Sequence, residues 1–71
     1  MTLRLEFAVT GMHCASCGLL IDDEIEELPG VTTSTTHLRT ERTVVELERP
    51  VPAQEIVAAI ASVGYTASPI A

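Results

Sequence analysis

Leu3-Arg4-Leu5-Glu6-Phe7-Ala8-Val9-Thr10-Gly11-Met12-His13-Cys14-Ala15-Ser16-Cys17 changes its apolar period at Gly11, and that change decides the fold. Before it, Leu3, Leu5, Phe7 and Val9 alternate with their neighbours and predict a strand with one buried face. After it, Ile21, Ile25 and Leu28 recur at i, i+4 and i+7 and predict an amphipathic helix from about Ala15 to Leu28. Two thiols three positions apart therefore sit at a strand-to-helix turn. The positive end of a helix macrodipole stabilises a thiolate there, which suits it to be a soft metal ligand or a redox nucleophile at neutral pH. The chain has no other cysteine.

Outward from this stretch the pattern repeats with variations. Leu28-Pro29-Gly30 stops the helix, with Gly30 suited to a left-handed cap. Val31 to Leu38 is rich in β-branched residues and predicts a second strand. Arg39 to Arg42 is a polar turn. Thr43 to Leu47 predicts a third strand with Thr43, Val45 and Leu47 inward. Arg49-Pro50-Val51-Pro52 ends it, and Pro52 marks the approach to a second helix whose apolar positions are Ile56, Ile60 and Val63. Gly64 caps that helix, and Tyr65 to Ile70 is a last strand. The order β-α-β-β-α-β is the ferredoxin-like, α+β arrangement: two helices on one face of a four-stranded antiparallel sheet. Residues 1–71 are expected to form a single domain.

Composition narrows the function classes. The apolar share is 46% with only Phe7 and Tyr65 aromatic, so the core must be aliphatic. Cysteines at i and i+3 cannot staple distant segments, which excludes a disulfide scaffold. No apolar run is long enough to span a bilayer, and the start lacks the order of a signal peptide. A reducing, cytoplasmic setting is expected. The net charge is −6, and the four basic residues, all arginine, are scattered. That charge repels nucleic acid and anionic membrane and suits a partner with a basic docking face.

Two sulfurs across a turn can converge on one ion, and thiolate selects thiophilic ions over hard cations. With no third cysteine the low coordination number favours Cu(I), since a closed zinc site wants four ligands. Thioredoxin-like enzymes share the CxxC pattern, which keeps a thiol–disulfide oxidoreductase as an alternative. Against it, the intervening pair is Ala15-Ser16 without proline, no tryptophan precedes Cys14, and the order of elements fits a split βαβ better.

Gly11-Met12-x-Cys14-x-x-Cys17, Leu28-Pro29-Gly30-Val31, Ala59-Ile60 and Gly64-Tyr65, at these separations, closely resemble the heavy-metal-associated domain family. The resemblance runs over nearly the whole chain. It implies a ferredoxin-like fold, Cu(I) held by Cys14 and Cys17, and transfer to a partner bearing the same cysteine pair, without enzymatic turnover. It implies either a soluble copper chaperone delivering to a copper-transporting P-type ATPase, or the regulatory amino-terminal metal-binding domain of such an ATPase. Zn(II) or Hg(II) are the alternative ions, and a copper-linked homodimer is a further association.

Several residues support the pair in this picture. Met12 is expected in the core, tethering the loop from below. His13 is expected to face solvent, where its imidazole is a candidate third ligand for Zn(II). Tyr65 is expected either to plug the small core or to bring its hydroxyl near the sulfurs. Leu19 and Leu20 fall largely off the buried stripe and are expected to form an apolar docking patch rimmed by Asp22, Asp23 and Glu26. Asp22, Asp23, Glu24, Glu26 and Glu27 are otherwise expected on a solvated helix face. Three departures from the family stand out. Gly18 replaces the usual valine or alanine and is expected to loosen the helix start. Leu19 and Leu20 stand at positions usually polar. Ser34 and Thr36 replace inward valines, so the second strand is expected to pack less well.

Overall fold

Alternating residues build strand β1 (Leu3–Thr10), and the i, i+4 stripe builds helix α1 (Ala15–Glu26). They are followed by β2 (Val31–His37), β3 (Arg42–Leu47), α2 (Ala53–Ser62) and β4 (Thr66–Pro69). The computed structural model describes residues 3–12 and 15–70. The order is the expected βαββαβ. The sheet runs β2-β3-β1-β4, with every neighbouring pair antiparallel. No helix among the described residues is long and apolar enough to cross a membrane.

The core is aliphatic around one ring. Phe7 and Val9 of β1, Val45 and Leu47 of β3, Ile21 and Ile25 of α1, and Ile56 and Ile60 of α2 are buried together. Fully burying one such side chain contributes ~1.5–3 kcal/mol relative to leaving it in water. Leu3, expected inward, is 40% exposed. It lies at the start of β1, paired with Leu47 of β3 but ahead of the residues Phe7 to Thr10 that β4 pairs.

Element ends shift slightly from the sequence expectation. α1 stops at Glu26 rather than Leu28. The Leu28 amide donates to the Ile25 carbonyl and Val31 to that of Leu28, so the chain turns before Gly30, whose φ is +96°. Leu28 still packs against the core. Pairing also aligns residues in rows across the sheet. Phe7 pairs with Thr43 and Thr43 with Thr36; Leu5 pairs with Val45 and Val45 with Ser34. Each row thus runs from a hydrophobic side chain on β1 to a hydroxyl on the outer strand β2.

Candidate metal centre

The turn after β1 is set by Gly11, whose φ of +95° is costly for a residue bearing a Cβ. The chain then drops Met12 into the core, where it is only 8% exposed. That is the tethering position expected of it. Cys17 is the third residue of α1 and is also 8% exposed. It sits in the first helical turn, packed with the core, rather than on an open surface loop. His13 and Cys14 lie outside the described residues.

Two other segments reach the same end of the sheet. Thr10 pairs with Thr66, which brings the preceding Tyr65 beside the loop. The half-buried Tyr65 ring lies 3.5 Å from where a Cβ on Gly11 would stand, and it packs against the core. On the other side the Val9 amide donates to the Glu41 carbonyl at 2.9 Å, holding the β2–β3 turn against the end of β1. The structure therefore brings together Met12, Cys17 and Tyr65, all at the junction of β1, α1 and β4.

Leu19 and Leu20 are both exposed, at 67% and 53%, in the first half of α1. At about 100° per residue they flank Asp23 and Glu27 on the outer face. The rim expected around them is only partly there. Asp23 and Glu26 are exposed, but Asp22 is half-buried and turns toward β2, and Glu26 reaches the same strand with one carboxylate oxygen. One Asp22 oxygen accepts from Ser34 Oγ at 2.8 Å and Thr36 Oγ1 at 2.7 Å, and the other from the Thr36 amide at 3.2 Å. Glu26 accepts from the Ser34 amide at 3.0 Å. The expectation of a wholly solvated acidic face is thereby corrected for Asp22; Glu26 is exposed as expected and bonds β2 from there.

This network is what sequence reasoning missed. The signal was present: carboxylates at i and i+4 on α1 and hydroxyls at i and i+2 on β2 are matched by the two periods. Read separately, they were a charged face and a poorly packed strand. Read as a pair, they satisfy each other, so the hydroxyls of Ser34 and Thr36 are not left without partners. Gly18 has a second role beside its low helix propensity. It is buried, and a Cβ there would meet Thr36 Cβ and Cγ2 at 3.3 Å. Glycine lets the helix approach the strand.

Comparison with known proteins places this geometry. Residues 6–66 match the model of a family described as Heavy-metal-associated domain. The Copper chaperone CopZ of Enterococcus hirae is 36% identical over 69 residues, 96% of this chain and 100% of that protein. The Probable copper-importing P-type ATPase A of the same organism is 34% identical over 61 residues, 86% of this chain. The chain spans only 8% of that ATPase's length. Among solved structures, a copper binding domain from a P-type ATPase superposes with a TM-score of 0.91 at 27% identity, covering 100% of this chain and 96% of that one.

Proposed function

This chain belongs to the heavy-metal-associated domain family, and from that premise we propose that it binds Cu(I) through Cys14 and Cys17 and hands it to a partner. The observation that carries this is the placement of Cys17 in the first turn of α1, directly after a loop anchored by Met12. Two thiolates at such a turn give Cu(I) a soft, low-coordinate site. The ion is cargo. A thiolate of the partner adds to it, a three-coordinate intermediate forms, and one bond to Cys14 or Cys17 breaks; the partner's second thiolate then adds in the same way and the remaining bond to this chain breaks. The released thiolates take up protons or a new ion, and the copper stays Cu(I) throughout. The chain performs no covalent chemistry on a substrate.

The partner in this reading is a copper-transporting P-type ATPase or its metal-binding domain, in the cytoplasm. Leu19 and Leu20 stand beside the metal turn as its apolar contact, and a copper-linked homodimer would use the same face. Similarity over the full length of a copper chaperone favours a carrier. Similarity to the metal-binding ends of copper ATPases equally suits a regulatory domain. A coding sequence that runs on into membrane-spanning helices would assign the second.

An anaerobic Cu(I) titration against a chromophoric chelator, with a Zn(II) control, tests the site. One Cu(I) per chain is expected, with tight binding lost in Cys14→Ser and in Cys17→Ser because a hydroxyl is a harder, weaker ligand. Wild-type affinity in either variant would place the site elsewhere.

A further inference from the structure

We propose that Asp22 is a positioning residue for the metal turn: with Thr36 it locks the start of α1 to β2 and so fixes where Cys17 stands. The inference rests on the metal-binding reading above but stands on its own geometry.

Proton accounting gives the network a direction. Asp22 presents only acceptors and takes hydrogen bonds from Ser34 Oγ, Thr36 Oγ1 and the Thr36 amide. Thr36 has a single hydroxyl proton, and it is spent on Asp22. The 3.0 Å contact between Thr36 Oγ1 and Thr43 Oγ1 must then be donated by Thr43, which is wholly buried. The chain of donors runs Thr43 to Thr36 to Asp22, so the Thr36 side chain is held from both sides. Its hydroxyl being fixed, its Cβ and methyl are fixed too, and these are the atoms 3.3 Å from where a Gly18 Cβ would be. Gly18 is joined to Cys17 by one peptide bond. Asp22 lies one helical turn beyond Gly18 on the same face.

Apolar packing alone would not do this. Ile21 and Ile25 set how deep α1 sits, but such contacts are non-directional and tolerate a small rotation or slide. Hydrogen bonds weaken steeply when bent and so oppose both movements. Glu26, which bonds the Ser34 amide, clamps the same helix to the same strand about two and a half turns from Cys17. It is therefore the internal control: equal in kind, remote from the metal turn.

Asp22→Ala and Glu26→Ala in the full chain separate positioning from stability. Three quantities are read: Cu(I) affinity by chelator competition, urea unfolding, and amide exchange in the metal-free protein. The diagnostic amides are Leu20 and Ile21, whose helical acceptors are the carbonyls of Ser16 and Cys17. Asp22→Ala is expected to weaken Cu(I) binding about tenfold, the cost of re-ordering roughly one residue of backbone. It should also speed exchange at Leu20 and Ile21 beyond any change at Phe7 and Val45. Glu26→Ala removes one bond at an exposed carboxylate rather than three, so it should lower stability by less and leave Cu(I) affinity unchanged. Equal affinity losses in the two variants, or none in Asp22→Ala, would make Asp22 purely structural and overturn the proposal. Should Asp22→Ala not fold, Thr36→Ser keeps the hydroxyl bonds and deletes only the methyl against Gly18. It is then expected to speed exchange at Leu20 and weaken Cu(I) about threefold, half the logarithmic step, and unchanged values would overturn the proposal. If wild type binds no Cu(I), the metal reading fails, and exchange at Leu20 and Ile21 still decides the clamp.

Discussion

The two helices lie on one face of one sheet, yet they are seated by different chemistry. α2 meets the sheet through Ile56, Ala59 and Ile60, all buried. A hydrogen bond from one of its side chains, Ser62 Oγ to the Ala59 carbonyl, stays within the helix. α1 buries Ile21 and Ile25 but reaches β2 through Asp22 and Glu26. Apolar seating supplies most of the stability and fixes depth. The carboxylate–hydroxyl seating adds less free energy and more geometry, because a hydrogen bond has a preferred direction and an aliphatic contact does not. The helix that carries Cys17, the proposed ligand, in its first turn is the one given the directional seat.

The largest effect should come from breaking the apolar seat. Ile60→Ala removes a wholly buried side chain and should cost ~2–5 kcal/mol in urea unfolding. Cu(I) affinity of the folded fraction should be unaltered, since α2 carries no ligand. A large affinity loss in this variant would mean that both helices position the site and the contrast is false.

The second test converts the polar seat into an apolar one. Ser34→Val with Thr36→Val takes away the two hydroxyl donors to Asp22 and the acceptor for Thr43 while leaving the carboxylate partly buried. That pair should cost ~1–3 kcal/mol. Adding Asp22→Leu and Thr43→Val removes the orphaned partners and should bring stability back to within about 1 kcal/mol of wild type, since replacing both sides of a buried polar contact can be nearly neutral. Urea midpoints of the two variants check it. If the fourfold variant is no more stable than the double, the polar groups contribute more than mutual satisfaction.

The outline of this contrast was legible in the chain and its detail was not. β1, β3 and both helices follow from the two apolar periods and β2 from its run of β-branched residues, and Ile21, Ile25, Ile56 and Ile60 are buried where the helical period puts them. Thr43 was read as inward from its alternation with Val45 and Leu47, and it is wholly buried. The exposure of Leu19 and Leu20 likewise follows from the helical wheel. Asp22 and Glu26 were not legible as anchors, because a one-dimensional pattern shows which face a residue is on and not what stands opposite. The partner hydroxyls lie 12 and 14 residues away for Asp22, and only the helix-to-strand crossover sets their register. The role of Gly18 is hidden for the same reason: its use depends on Thr36, 18 positions on.

A smaller effect is expected at the outer face of α1. Leu19→Ser with Leu20→Ser touches neither seat, so stability should change by no more than about 0.5 kcal/mol per site. Cu(I) affinity should hold, while transfer to a partner domain should slow. A thermal transition that collapses in the double variant would place the leucines in the core's support, and an unchanged transfer rate would remove them from docking.

Gly18→Ala should have the smallest effect and the most to say. Alanine inside a helix is worth up to ~1 kcal/mol over glycine. Against that, the new Cβ would stand 3.3 Å from Thr36 Cβ and Cγ2, so Thr36 must yield by a few tenths of an ångström. A side chain on a free rotor could do so at little cost. Thr36 is bound to Asp22 and Thr43 and to its own strand, and moving it bends those bonds. The propensity gain and the strain should therefore nearly cancel, leaving Gly18→Ala within a few tenths of a kcal/mol of wild type or slightly below it. In a Thr36→Ser background one of the two close atoms is gone, and the same substitution should become stabilising by roughly 0.5–1 kcal/mol. The coupling between the two sites, read from a double-mutant cycle in urea, isolates the contact from the helix propensity. Strict additivity would show that Gly18 and Thr36 do not press on each other, and that α1 approaches β2 without the strand resisting it.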